Sequence, residues 1–163
     1  MAANTTHPVK EVKPKVAKAA TNEKKLALVK IRGMVDSPQQ VRDTFALFKL
    51  FRKNHAAVVP DTPTYRGMIN KIKDYATWGE INEETFQELV SKRGEEFKGR
   101  TGDSKNKYTY KFLEIKGKKY KTYFRLSPPR KGFERKGTKA GFQAGGALGY
   151  RGDKINDLIK RML

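Results

Sequence analysis

Cysteine is absent from the 163 residues, and histidine occurs only as His7 and His55. A chain without thiols has no disulfide framework, no thiol nucleophile and no cysteine-ligated zinc. Two separated histidines make no cluster for a metal or for activating a nucleophile. Carboxylates are scarce as well: 17 Asp and Glu face 36 Lys and Arg, for a net charge of +19. Long apolar runs are missing. The purely aliphatic stretches Leu26–Val29 and Ala56–Val59 are far too short to span a bilayer. The opening "MAANTTHPVKEVKPKVAKAATNEKK" contains no apolar segment of signal-peptide length. The expectation is an unexported, cytoplasmic protein without membrane contact, in which the acceptor pattern Asn4-Thr5-Thr6 is a chance match.

What is abundant is positive charge, and it is unevenly spread. Residues 1–25 carry a net +4, residues 26–97 only +1, residues 98–139 carry +12 and residues 140–163 carry +2. The excess lies outside the segment that reads as most globular. Such a balance points to a polyanionic partner.

Three units follow from the text. Residues 1–23 are rich in Ala, Lys and Pro without apolar period and read as a flexible basic arm. Residues 24–97 alternate strand-like and helix-like stretches. "KLALVKI" is a partly or fully buried strand, and "DSPQQVRDTFALFKLFRKN" a helix with Ser37 as cap, Pro38 at its first helical position and Val41, Phe45 and Phe48 on one face. A second strand around "AAVV" precedes a helix opened by Thr62-Pro63, with Tyr65, Met68, Ile69, Ile72 and Ala76 at helical spacing. "ATWGEI" gives a third strand, and "NEETFQELVSKRG" a third helix between Asn82 and Gly94. The pattern is β-α-β-α-β, with helices packed over a small sheet. Residues 98–163 hold a basic aromatic hairpin turning at Gly117, a Gly-rich basic stretch and a short helix capped by Asp153 that buries Ile155, Leu158, Ile159 and Met162.

Catalytic readings find little support. Gly132 and Gly137 have phosphate-loop spacing, but Thr138-Lys139 reverses the required residue order. Arg151-Gly152-Asp153 resembles an adhesion tripeptide, yet a helix cap accounts for it more simply. Paired Glu83 and Glu84 suit a helix dipole better than acid–base chemistry. No enzyme and no cofactor is expected.

Nucleic-acid binding remains. Along an ideal helix at 100° per residue, Arg42, Lys49 and Lys53 fall within about 40° of one another, opposite the apolar face. Arg66, Asn70 and Lys73 form a polar stripe on the second helix, whose N-terminus is free to point N–H groups at an anion. Beside Arg66 stands Gly67, which costs a helix about 1 kcal/mol relative to alanine. Two readings of Gly67 are open: close approach of an external backbone, or close packing inside the protein. Arg32, Arg52, Lys118, Lys119, Lys121, Arg135, Lys136 and Arg151 join these candidates on charge alone. Charge in long loops, interleaved with Tyr and Phe, suits a structured RNA recognised by shape and phosphates.

The blocks "KLALVKIRG", Val41-Arg42-Asp43-Thr44, "DTPTYRGMINKIKDY" with "TWGEI", "FRLSPPRKGF", "AGGALGYRG" and "KINDLIKRML" together resemble the L-thirty family of large-subunit ribosomal proteins, called L-seven in the eukaryotic cytosol. The resemblance covers almost everything after Lys24, and the short basic arm resembles archaeal members. It implies an α+β fold with a small ferredoxin-like core, carrying here an extra helix, the hairpin and a C-terminal helix. It also implies a non-enzymatic constituent of the large ribosomal subunit, with large-subunit rRNA, 5S rRNA and neighbouring ribosomal proteins as partners. Carried onto this chain, it places Arg66 and Gly67 at the RNA, with Arg125, Arg130 and Lys131. The competing expectation is a free RNA chaperone or general nucleic-acid-binding protein.

Overall fold

The computed structural model describes residues 24–102, 107, 108 and 110–163; the basic arm of residues 1–23 lies outside the described residues. The chain runs β1 (Lys25–Lys30), α1 (Gln39–Leu47), β2 (His55–Pro60), α2 (Pro63–Lys71), β3 (Ala76–Glu80) and α3 (Glu83–Arg93). It continues through β4 (Leu113–Ile115), β5 (Lys118–Tyr120), β6 (Tyr123–Arg125), β7 (Gly149–Tyr150) and α4 (Ile155–Met162).

β1 is the centre of the molecule because its alternating side chains are apolar on both faces. Leu26 and Leu28 enter one core with Val41, Phe45 and Phe48 of the α1 region and Ile69 and Ile72 of the α2 region. Ala27 and Val29 enter a second core with Phe86 and Leu89 of α3 and Ile155, Leu158, Ile159 and Met162 of α4. A strand covered on both sides reads as a continuous apolar run, as "LALV" does. The result is three layers of an α+β, ferredoxin-like fold. The sheet has the order β6-β2-β1-β3-β7. β1 is antiparallel to both neighbours, Leu28 lying opposite Ala57 and Trp78, while β7 joins β3 in parallel.

β3 and the C-terminal helix meet at Gly79. A Cβ built there would lie 2.1 Å from the Gly152 carbonyl oxygen and 3.0 Å from Ile155 Cβ, so only glycine permits this approach.

Four expectations are corrected. α1 stops at Leu47, because Lys49 adopts a left-handed backbone (φ +57°). The Leu50 N–H then donates to the Phe45 carbonyl and the Lys49 N–H to the Ala46 carbonyl, a Schellman closure sealed by buried Phe45 and Leu50. Lysine is an unusual occupant of that position, so the stop was not legible. The start of α1 lies one residue later than expected: Pro38 is its cap residue rather than its first helical one, and the Ser37 hydroxyl donates to the Met34 carbonyl (2.8 Å). Asp153 does not cap α4, lying instead in a 3-10 turn, Gly152–Lys154, that leads into it. The hairpin is shorter than expected. β4 and β5 pair around Lys116-Gly117, but Tyr123–Arg125 leaves them to become β6, Phe124 lying opposite Ala56 of β2.

Candidate nucleic-acid interface

The start of α2 is fixed locally. Pro63 occupies the first helical position and the Thr62 side chain accepts from the Tyr65 N–H (3.4 Å). Since proline has no N–H and Tyr65 donates to the cap, Thr64 alone retains a first-turn N–H without a helical or capping partner. The expected open helix N-terminus is therefore mostly closed. Arg66 projects from this turn and donates through Nε and Nη2 to both carboxylate oxygens of Asp61, each at 2.5 Å. This fork holds the Asp61 carboxyl below its ordinary range and the Arg66 guanidinium above its own. Arg66 is thus an exposed donor aimed by Asp61, with its charge locally balanced.

Gly67, next along the helix, is exposed, and a Cβ built on it would meet nothing within 4 Å. Close internal packing is thereby excluded as its reason. Asn70 is exposed one turn further on, whereas Lys73 lies past the end of α2, in the turn before β3, so the three-residue stripe is a helical pair and a turn lysine. Half-exposed Tyr150, absent from the sequence-based set, borders this region. Its hydroxyl donates to Glu80 (2.8 Å), its ring leans on Trp78 at 6.5 Å, and its oxygen lies within electrostatic reach of Arg66. Only the β7 pairing, invisible in the sequence, brings it here.

At the opposite end of β1, Lys30 is buried. Its ammonium donates to the carbonyls of Leu50 (2.9 Å) and Phe51 (3.1 Å) over the Phe45 ring, and burial pushes it down to about 8. This lysine pins the turn after α1. Because that turn is not helical, Arg42, Lys49 and Lys53 do not form the expected stripe. Arg42, Arg52 and Lys53 are exposed; Lys49 is half-buried and donates to the Lys111 carbonyl (3.3 Å). Arg32 lies over the Tyr75 ring and donates to the Asp74 carbonyl (3.1 Å). Nearby His55 is buried and stacked on Tyr123, and desolvation first, then Arg125, Lys30 and Arg52, hold it below its ordinary value.

Around the hairpin, Lys118 and Lys119 are exposed, the latter over the Phe112 ring. Lys121 and Arg125 converge on Glu95, at 2.6 and 3.1 Å. The hydrogen bond from Lys121 holds the Glu95 carboxyl below its ordinary range. Arg130, Lys131, Arg135 and Lys136 are exposed and make no ion pair among the described residues. The turn bearing Arg130 and Lys131 is suspended from the last carbonyls of α4. The Arg130 N–H donates to Arg161 (2.9 Å) and the Ser127 N–H to Met162 (3.0 Å).

Arg151 is the one candidate that the structure removes. Its side chain is 1 % exposed and donates to Thr77 Oγ1, the Ala147 carbonyl and Glu134, over the Phe142 ring. It ties the Gly-rich segment to the sheet and presents nothing to solvent. An arginine between Tyr150 and Gly152 gives no sign of burial in the sequence; the burial arises from the parallel β7 pairing.

The geometry offers positioned donors, exposed cations and aromatics, as phosphate and base contacts require. The family model described as ribosomal protein L30p/L7e matches residues 26–76, which span β1 to the start of β3. Relatives named large ribosomal subunit protein uL30 align over most of the chain. That of Nanoarchaeum equitans is 42 % identical over 151 residues, covering 84 % of this chain and 97 % of its own. That of Methanopyrus kandleri is 41 % identical over 149 residues, covering 82 % and 100 %, and that of Staphylothermus marinus 44 % over 158 residues, covering 84 % and 97 %. The chain belongs to the L30p/L7e family of ribosomal proteins. Members of this family are structural rather than enzymatic, in keeping with a surface of donors and cations.

Proposed function

We propose that this chain is a structural constituent of the large ribosomal subunit, in the cytoplasm, that docks on folded rRNA through phosphate and shape contacts. Family membership supports the subunit, and Gly67 carries the mode of binding. An exposed mid-helix glycine with open space around it lowers the stability of the free protein without serving its packing. Its use is to let an external backbone reach α2 beside the aimed fork of Arg66. Asn70 lies on the same face of α2. Arg130, Lys131, Arg135 and Lys136 neutralise phosphates from the C-terminal segment, with Lys118 and Lys119 on the hairpin and Arg42, Arg52, Lys53 and Lys73 around the core helices. Lys121 and Arg125 reach RNA only in competition with Glu95. Proximity to 5S rRNA, and contact with neighbouring ribosomal proteins, rest on the family resemblance.

The test is competitive incorporation into large subunits. Arg66→Ala lowers incorporation about tenfold, the equivalent of one charge-assisted hydrogen bond. Lys13→Ala, in the arm, removes a single diffuse charge and changes it by less than about twofold. Equal effects of the two substitutions refute the ranking and favour a free chaperone-like binder.

A further inference from the structure

The turn that follows α1 is locally expensive. Lys49 holds a left-handed backbone that glycine or asparagine adopts more readily, and on either side of it Leu47 is 67 % and Phe51 58 % exposed. Such exposure is no accident of a loose loop, since the two Lys30 hydrogen bonds and the Schellman closure pin the turn in place.

The surface continues onto a second segment. The Lys49 ammonium donates to the Lys111 carbonyl, bringing the approach to the hairpin alongside, and Tyr110 there is 49 % exposed. Arg52, Lys53 and Lys111 supply exposed cations, and neither residues 44–60 nor residues 107–113 contain a single carboxylate. Aromatic faces set among cations, on segments that carry no carboxylate of their own, are complementary to unpaired nucleotides: the ring stacks on a base and the cations meet its phosphates.

We infer that the α1 turn, with Phe51 at its centre, is a docking surface for an unpaired segment of RNA. The inference rests on the rRNA-binding reading and adds a second contact to it. The two cannot serve the same phosphates. Asp61, at the entry to α2, is bonded to Lys24, the residue before β1, whereas the α1 turn hangs on Lys30 at the strand's end. Strand geometry separates the two ends by roughly 17 Å. The protein therefore bridges two RNA elements, one folded against α2 and one single-stranded against Phe51.

Binding of the full chain to a short oligouridylate and to an RNA duplex of equal length, at one fixed salt concentration, tests this. Phe51→Ala weakens oligouridylate binding about tenfold, within the range for loss of one base–aromatic stack, and changes duplex binding by less than about twofold. Phe51→Tyr restores the loss. Arg66→Ala shows the opposite preference, weakening the duplex. Phe51 is exposed, so circular dichroism of the variant matches that of the parent. Equal losses on both RNAs from Phe51→Ala overturn the inference, as does no loss on either. If Arg66→Ala still weakens the duplex in those cases, the rRNA reading stands without the second surface. If the parent chain binds neither RNA, the second surface is refuted, while the rRNA reading is still decided by incorporation into large subunits.

Discussion

At the scale of single residues, two positions are informative because they oppose stability. Gly67→Ala removes a helix penalty without a clash, so the isolated protein gains about 1 kcal/mol in urea unfolding. The same change lowers incorporation into the large subunit if α2 receives an external backbone there. A stabilised protein that incorporates normally removes the reason given for this glycine. Lys30 opposes stability through its charge, with a folded value of about 8 against an ordinary 10.5. The unfolded chain therefore binds the proton more tightly, and unfolding free energy rises as pH climbs from about 8 towards 10.5. Below that window the gain is lost. Lys30→Met flattens this part of the stability–pH profile; an unchanged profile shows that another group titrates there. Neither residue announced its role in the same way. Gly67 was legible as an anomaly in a helix, but the choice between inner packing and outer contact needed the space around it. Lys30 carried no signal in the sequence, a lysine between Val29 and Ile31 of the first strand whose burial depends on the turn after α1.

At the scale of elements, the periodicities located β1, β2, β3 and all four helices, because each buries an apolar face that its sequence displays. Less legible were the ends and the partners. The α1 helix was overextended since Phe48 and Phe51 continue a helical spacing past a lysine that takes a left-handed turn. Phe51, inside the stretch expected to be helical, lies beyond that stop and is exposed. Tyr123–Arg125 kept the alternation of the hairpin but pairs with β2, a long-range choice no local pattern encodes. Arg151 was misplaced for the same reason. The junction of β3 with the C-terminal segment gives an element-scale prediction. Gly79→Ala forces a Cβ onto the Gly152 carbonyl and destabilises the fold by about 1–3 kcal/mol in urea unfolding. Stability within about 0.5 kcal/mol of the parent means that the junction opens at little cost.

At the scale of the whole molecule, charge and core are segregated. Residues 26–97 carry a net charge of +1 and supply both cores' central strand, while residues 98–139 carry +12. Composition alone made that division legible, and with it the class of partner, whereas which cations are free depended on the fold. Glu95 engages Lys121 and Arg125, and Glu134 engages Arg151 and Arg161, so part of the basic excess is spent internally. A protein seated on folded rRNA by positioned contacts differs from a loose polycation in its response to salt. The deciding measurement is sedimentation of cell lysate through sucrose gradients at physiological and at high salt, following this protein against both ribosomal subunits. Integration into the large subunit predicts co-sedimentation with that subunit under both conditions. Release at modest salt, or a position at the top of the gradient throughout, contradicts it and leaves a free RNA-binding protein.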